Sequence, residues 1–167
     1  MKKARTVGIQ YAALPYRIVR RRVEIMLITS RNTRRWVIPK GWPMKGFKPQ
    51  DAAAAEAAEE AGLIGEVESR PIGSYRYMKQ LKANNAIAVQ VILFPLRVQA
   101  QVDSWKEQGQ REFRWFRYQR AASLVAEPSF RRLIREFGRA RTPGMMSAAL
   151  FDHSLRWSLA LFRPEAK

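Results

Sequence analysis

Apolar and polar positions along the chain divide it into strands and helices. Thr6 to Leu14 (TVGIQYAAL) predicts a strand that Pro15 ends. Tyr16 to Ser30 (YRIVRRRVEIMLITS) predicts a hairpin with its turn near Arg20, Arg21 and Arg22; its second arm, Val23 to Thr29, is strongly apolar. Arg31 to Arg35 reads as a loop, and Trp36-Val37-Ile38 as a short strand. Gly65 to Met78 divides into strand, bend and strand, and Lys79 to Asn85 is a polar connection. Ala86 to Val98 is a long apolar strand in which Pro95 indicates an edge or a bulge. A loop with Trp105 follows, then a strand over Arg111 to Arg117, a helix beginning at Ala121 to Val125 and a second helical stretch over Ser129 to Arg139.

A helical stretch lies between Phe47 and Leu63. Pro49 suits a first helical turn, Asp51 complements the helix dipole, Ala52 to Ala55 favour helix and close packing on a sheet, and Gly62 suits the position just past the end. Sheet, one long helix and later helices together predict an α/β sandwich with a mixed β-sheet. The helix carries Glu56, Glu59 and Glu60, which at about 100° per residue fall on one side. Like charges this close repel one another, and a divalent cation would remove the conflict. Magnesium suits such a set, since it takes one or two carboxylates together with water and substrate phosphate. A solvated acidic face is the other reading, and the helix alone does not choose.

Composition narrows the function classes. A chain of 167 residues with 47% apolar content predicts one domain with room for an extension. Without cysteine it has no disulfide, thiolate metal site or cysteine nucleophile. The single histidine, His153, is distant in sequence from the glutamates and reads as structural, so acid and base work falls to carboxylates. No run of about 18 apolar residues predicts a membrane span, and the basic N-terminus lacks the apolar stretch of a secretory signal, so a cytoplasmic location is the default. A net charge of +17 implies an anionic partner: a polyphosphorylated small molecule, a nucleic acid or an acidic surface. A generally basic surface from an arginine-favouring genome is the plainer explanation. Arg141 to Gly144 reads as a break between a domain over residues 1–141 and an extension over 142–167. Met145 to Phe162 predicts an amphipathic helix with Met146, Ala149, Leu150, His153, Trp157 and Leu161 on one side. Asp152 and Ser154 interrupt a lipid-facing surface, so packing on its own domain or in a homodimer is expected of it.

The stretch from Gly41 to Leu63 resembles the Nudix box, G-x5-E-x7-R-E-U-x-E-E-x-G-U, where U is a bulky aliphatic residue. With the box glycine on Gly41, its glutamates fall on Glu56, Glu59 and Glu60 and its G-U on Gly62-Leu63. Phe47 stands where the box has its first glutamate, Ala55 where it has arginine, and Ala57 at a bulky position. The resemblance implies a Nudix fold over about residues 6 to 140 and metal-assisted hydrolysis of a phosphoanhydride, with Mg2+ or, alternatively, Mn2+. Glu56 and Glu60 would be the primary metal ligands, the Gly41 carbonyl a further one, and Glu59 the general base.

Within the family the chain looks most like the diphosphoinositol polyphosphate phosphohydrolase-like group. Ser30-Arg31 followed by Arg35-Trp36-Val37-Ile38-Pro39 carries that likeness, as do Gln10 before Ala12-Ala13-Leu14 and the spacing of Trp105, Arg111 and Trp115-Phe116. It implies phosphate contacts from Ser30, Arg31 and Arg111. Lys40 precedes the box glycine, Gln10 occupies the position of a basic residue, and Lys79 and Lys82 are weaker candidates that ordinary surface charge also explains. Diphosphoinositol polyphosphates, dinucleoside polyphosphates and nucleoside diphosphate derivatives are the substrate classes implied. Two other functions compete: a catalytically weak domain that binds nucleotide or nucleic acid, suggested by Phe47 and Ala55, and an RNA-binding module using the aromatic and arginine alternation of Arg111 to Tyr118. The three retained glutamates oppose the first, and a strand with a buried face explains the alternation of the second.

Overall fold

Val23, Ile25 and Leu27 alternate along the chain with Met26 and Ile28, yet all five are buried, so this strand needs cover on both faces. The computed structural model describes residues 7–82 and 85–144 and supplies that cover. Among the described residues, one sheet contains β1 (Val7–Val19), β2 (Arg22–Thr29), β3 (Trp36–Val37), β4 (Lys40–Gly41), β5 (Leu63–Val67), β6 (Gly73–Lys82), β7 (Asn85–Gln101) and β8 (Phe113–Arg117). Helix α1 (Pro49–Ala61) lies on one face, and α2 (Tyr118–Leu124) and α3 (Pro128–Arg141) on the other. The α/β sandwich is therefore as expected. Ala53, Ala57 and Ala61, one helical turn apart, pack with Met26, Ile28, Phe94 and Leu96. Leu14, Ile25, Leu27 and Val91 face Phe130, Ile134 and Phe137 of α3 across the sheet.

The sheet is mixed. Strands β1 and β7 run parallel from Val7↔Ala88 to Tyr16↔Arg97, and the other pairings are antiparallel. The β1–β2 turn falls at Arg20 and Arg21, with φ of 47° and 63°. Two successive residues at positive φ match the twist of a two-residue hairpin, here without the usual asparagine or glycine.

Of the expectations that change, three concern how the sheet pairs. Pro15 does not end the first strand, which continues to Val19. The Ala13 N–H donates to the Pro39 carbonyl at 3.1 Å. Pro15, two residues on, turns its nitrogen to the same side. That side is the gap between the pairing with β4, at Tyr11 and Ala12, and the pairing with β2, which begins at Tyr16, so no ladder bond is lost. Pro95 likewise lies inside β7, between the last partner of β6 at Leu93 and the first partner of β5 at Leu96. The irregularity in that pairing comes later, opposite Ile64 and Gly65. The polar stretch after Met78 is not a connection: β6 runs to Lys82 and pairs with β7 from Asn85. Ladder bonds use backbone groups, so polar side chains at an exposed hairpin end do not stop them.

Helix α1 starts at Pro49 and closes on Gly62 at φ 66°, and the Gly62 N–H donates to the Ala58 carbonyl. A side chain at Gly62 would also meet the Trp105 ring at 2.6 Å, so this glycine is required twice over. Trp115 and Phe116 of β8 pack against opposite faces of the sheet, and neither forms an open stacking platform. The helix expected over Met145 to Phe162 lies outside the described residues, as do the particulars of residues 145–167. Among the described residues no helix is long and apolar enough to cross a membrane.

Candidate functional site

The short strand β4 and helix α1 bring the glycine loop and the glutamates together. Gly41 pairs with Tyr11 of β1, and Glu56 projects from α1 directly beneath it. A Cβ on Gly41 would overlap the Glu56 carboxylate, so only glycine permits this approach. One turn on, Glu60 Oε2 accepts the Lys40 backbone N–H at 3.4 Å. Gly41, Glu56 and Glu60 all line a cavity of about 670 Å³. Burial pushes the Glu60 carboxyl up to about 7, against the opposing charges of Arg111 and Lys40. Burial first, then Glu59, raises Glu56 as well.

Arg111 holds the glutamates from the opposite wall. Its Nη2 donates to Glu60 Oε1 at 2.6 Å, its Nε to Glu107 Oε2 at 2.8 Å and its Nη1 to the Thr29 carbonyl at 3.1 Å. At 9% side-chain exposure, Arg111 is engaged on all three sides by protein groups. Phe47 is 53% exposed and Ala55 carries no charge, so the arginine–glutamate pair of the motif cannot form between them. Arg111 brings a guanidinium to the box from outside it.

The remaining candidates spread around the cavity. Gln10, Ser30, Arg31, Lys40 and Lys79 line it. The Ser30 hydroxyl shares a hydrogen bond with Thr33 at 2.6 Å and accepts the Arg35 N–H at 3.2 Å. Among the described residues, Arg31 makes only long contacts, 3.4 Å each, to Gln110 and Glu107, and its side chain is 56% exposed. The Lys40 ammonium stands 5.5 Å from the Tyr77 ring centroid, and burial brings it down to about 8. The Lys79 ammonium stands 5.0 Å from the Trp42 ring. Lys82 ends β6, and its side chain is outside the described residues. Glu59 is not on the cavity wall: its carboxylate pairs with Lys106 at 2.7 Å, on an exposed side of α1.

Among the cavity residues that sequence reasoning missed are Tyr75, Tyr77, Glu107 and Glu127. The tyrosines had a signal, since a strand through Tyr75, Tyr77 and Lys79 turns alternate residues to one face. Glu107 could have been paired with Arg111 at four residues' spacing only if the loop were known to coil. Glu127, just before α3, had none.

The donor set fits a hard divalent cation. Among the described residues no three histidine or carboxylate side chains converge into a complete metal cage. Two carboxylates beside the backbone of Gly41, in a cavity with room for phosphate and water, suit the oxygen ligands that magnesium ordinarily takes.

Comparison with known proteins agrees with this geometry. The NUDIX domain family model matches residues 12–137. Nudix hydrolase 12, mitochondrial, of Arabidopsis thaliana is 27% identical over 119 residues, a match that covers 70% of this chain and 59% of that protein. The chain thus spans less than two thirds of that relative's length. A solved structure of a C. elegans Ap4A hydrolase binary complex superposes with a TM-score of 0.59 at 21% identity, covering 78% of this chain and 95% of that one. The NUDIX domain of Shewanella oneidensis NrtR complexed with ADP ribose gives 0.55 at 10% identity, covering 80% and 89%. At these identities the likeness to the two structures speaks for the fold.

Proposed function

The chain belongs to the Nudix domain family, and from that membership we propose that it hydrolyses a phosphoanhydride bond in a dinucleoside polyphosphate or another nucleoside diphosphate derivative, with magnesium as cofactor. The observation that carries this reading is the meeting of Glu56, Glu60 and the Gly41 backbone on one wall of a cavity that Arg31, Lys40, Lys79, Trp42 and Tyr77 also line. Glu56, Glu60 and the Gly41 carbonyl would hold the ion, whose chemistry when bound is to polarise a phosphoryl oxygen and acidify water. Arg31, Lys40 and Lys79, with Ser30, bind the phosphate chain, and Arg111 positions Glu60. Glu59 takes the proton of the attacking water once it leaves Lys106, its exposed and solvent-screened partner.

The inositol branch of the substrate classes fits less well. A ligand bearing phosphates all round needs cations on every wall, and here Glu107 and Glu127 also face the cavity. Trp42 and Tyr77 supply aromatic surface for a nucleobase once the ammonium groups of Lys79 and Lys40, now over their rings, turn to the phosphates. The name of the C. elegans neighbour denotes a dinucleoside tetraphosphate, and the bound ligand of the NrtR domain is a nucleoside diphosphate derivative, in keeping with this preference.

Product analysis over a panel tests the proposal. Dinucleoside polyphosphates, nucleoside diphosphate sugars, nucleoside triphosphates and an inositol pyrophosphate are each incubated with the protein and magnesium. Turnover of a nucleoside diphosphate derivative well above the inositol compound is expected; turnover of the inositol compound alone would reverse the assignment. Arg31→Ala should raise KM for the preferred substrate roughly tenfold with little change in kcat, as for loss of one charge-assisted phosphate contact in ground and transition state alike. An unchanged KM would remove Arg31 from the site.

A further inference from the structure

The cavity has two chemically different ends. Glu56 and Glu60 mark one. At the other, Gln10, Tyr75, Tyr77 and Glu127 line the wall, and among the described residues the Gln10 amide nitrogen, the Tyr75 hydroxyl and the Glu127 carboxylate have no hydrogen-bond partner. Gln10 is 2% exposed. Its Oε1 accepts the Tyr77 hydroxyl at 2.8 Å, and among the described residues nothing accepts from its Nε2. That nitrogen is not sealed in the interior: among the described residues the buried side-chain polar atom without a partner is Trp105 Nε1, so the Gln10 amide opens to the cavity. The Glu127 carboxylate likewise has no hydrogen bond or ion pair among the described residues, although its backbone carbonyl accepts the Arg131 N–H at 3.0 Å. Its charge reaches this end of the cavity: after burial, Glu127 is the next cause raising both the Tyr75 and Tyr77 phenols.

Two of the three open groups have a fixed and opposite sense, and the Tyr75 hydroxyl can serve in either. Gln10 Nε2 can only donate, and the ionised Glu127 can only accept. A group that fills both must therefore accept from one and donate to the other while lying against an aromatic ring. An anion is excluded beside the unpaired carboxylate, so this end takes the uncharged part of a substrate whose phosphates lie toward Lys40. Resting on the hydrolase reading above, we propose that Glu127 and Gln10 read the hydrogen-bonding edge of a purine base stacked on Tyr77, and that they select guanine. Guanine turns two adjacent donors, N1–H and the N2 amino group, to the two oxygens of Glu127, and its O6 accepts from Gln10. Hypoxanthine keeps O6 and N1–H but lacks the amino group. Adenine has only its N6 amino group to give and turns the N1 lone pair toward the carboxylate. A site built around paired hydrogen bonds rejects an analogue that leaves its polar groups unpaired.

Calorimetric titration of the full chain with GMP, IMP and AMP, without metal, tests this independently of turnover. GMP should bind about tenfold or more tighter than AMP, with IMP between. Glu127→Gln, at the half-buried start of α3, should weaken GMP roughly tenfold and change AMP by less than about threefold. Gln10→Met, which keeps the buried volume, should weaken GMP and IMP together. Equal binding of GMP and AMP, no measurable binding of any of the three at millimolar concentration, or a Glu127→Gln variant that binds GMP as well as the parent would each overturn the assignment. Turnover of dinucleoside polyphosphates is measured alongside. Turnover with base-blind binding defeats the guanine assignment alone, and guanine-selective binding with no turnover of any anhydride defeats the hydrolase reading alone.

Discussion

Glu60→Gln should lower kcat/KM by about a thousandfold or more while the protein remains folded. Glutamine keeps the shape of the side chain and can still accept the Arg111 Nη2 hydrogen bond now made at 2.6 Å. Burial already disfavours the charge at this position, so a neutral isostere is tolerated there. What the proposed site would lose is one of its two anionic oxygen ligands for the cation. If that ligand is worth about 4 kcal/mol in the transition state, the loss is three powers of ten. The assay is steady-state turnover on the preferred anhydride, with a thermal melt on the same sample. Near-normal turnover would refute the assignment of Glu60 to the metal, and a collapsed melt would show that the pair with Arg111 holds the fold rather than the site.

Gly41→Ala separates site geometry from stability still more sharply. The new methyl group would overlap the Glu56 carboxylate, the far end of a flexible side chain, which can swing aside at little cost to the fold. Gly41 is not at positive φ, so alanine brings no backbone strain. The melting temperature should therefore stay within a few degrees, whereas displacing Glu56 by about 1 Å should lower kcat about a hundredfold. An active Gly41→Ala enzyme would mean that Glu56 does not act from beneath the loop. A Gly41→Ala protein that fails to fold would mean that the contact is structural.

Much of this architecture is legible in the sequence because local and tertiary demands coincide. Helix α1 is written with Pro49 at its start, Gly62 past its end and small residues at the spacing that the sheet requires. Strand β2 is an apolar run too short for a helix to bury, with buried faces on both sides. Pro15 and Pro95 mislead for one shared reason. A proline breaks a strand only where a neighbour needs its N–H, and each lies where one partner strand has ended and the next has not begun. No local pattern encodes that gap.

The site divides in the same way. Glu56, Glu60 and Gly41 lie in one short motif, so their meeting is legible. Arg111 is legible as a cavity residue, but its engagement with Glu60, Glu107 and Thr29 depends on how the loop before β8 returns across the sheet. Glu59 shares a helix face with Glu56 and Glu60 by spacing, yet the neighbouring Lys106 draws it to the exposed side. Glu127 reaches the cavity only because α3 begins beside Tyr75 and Tyr77, a long-range arrangement with no trace in the residues around it.

Dependence of turnover on divalent metal is the most direct test of the account. The protein, freed of metal with a chelator and assayed on a dinucleoside polyphosphate, should be inactive. Activity should return on adding magnesium, with saturation, and the same addition should restore almost nothing to Glu56→Gln or Glu60→Gln. Full turnover in the presence of excess chelator, or equal recovery by the two glutamine variants, would contradict the claim that Glu56 and Glu60 hold a catalytic cation beneath Gly41.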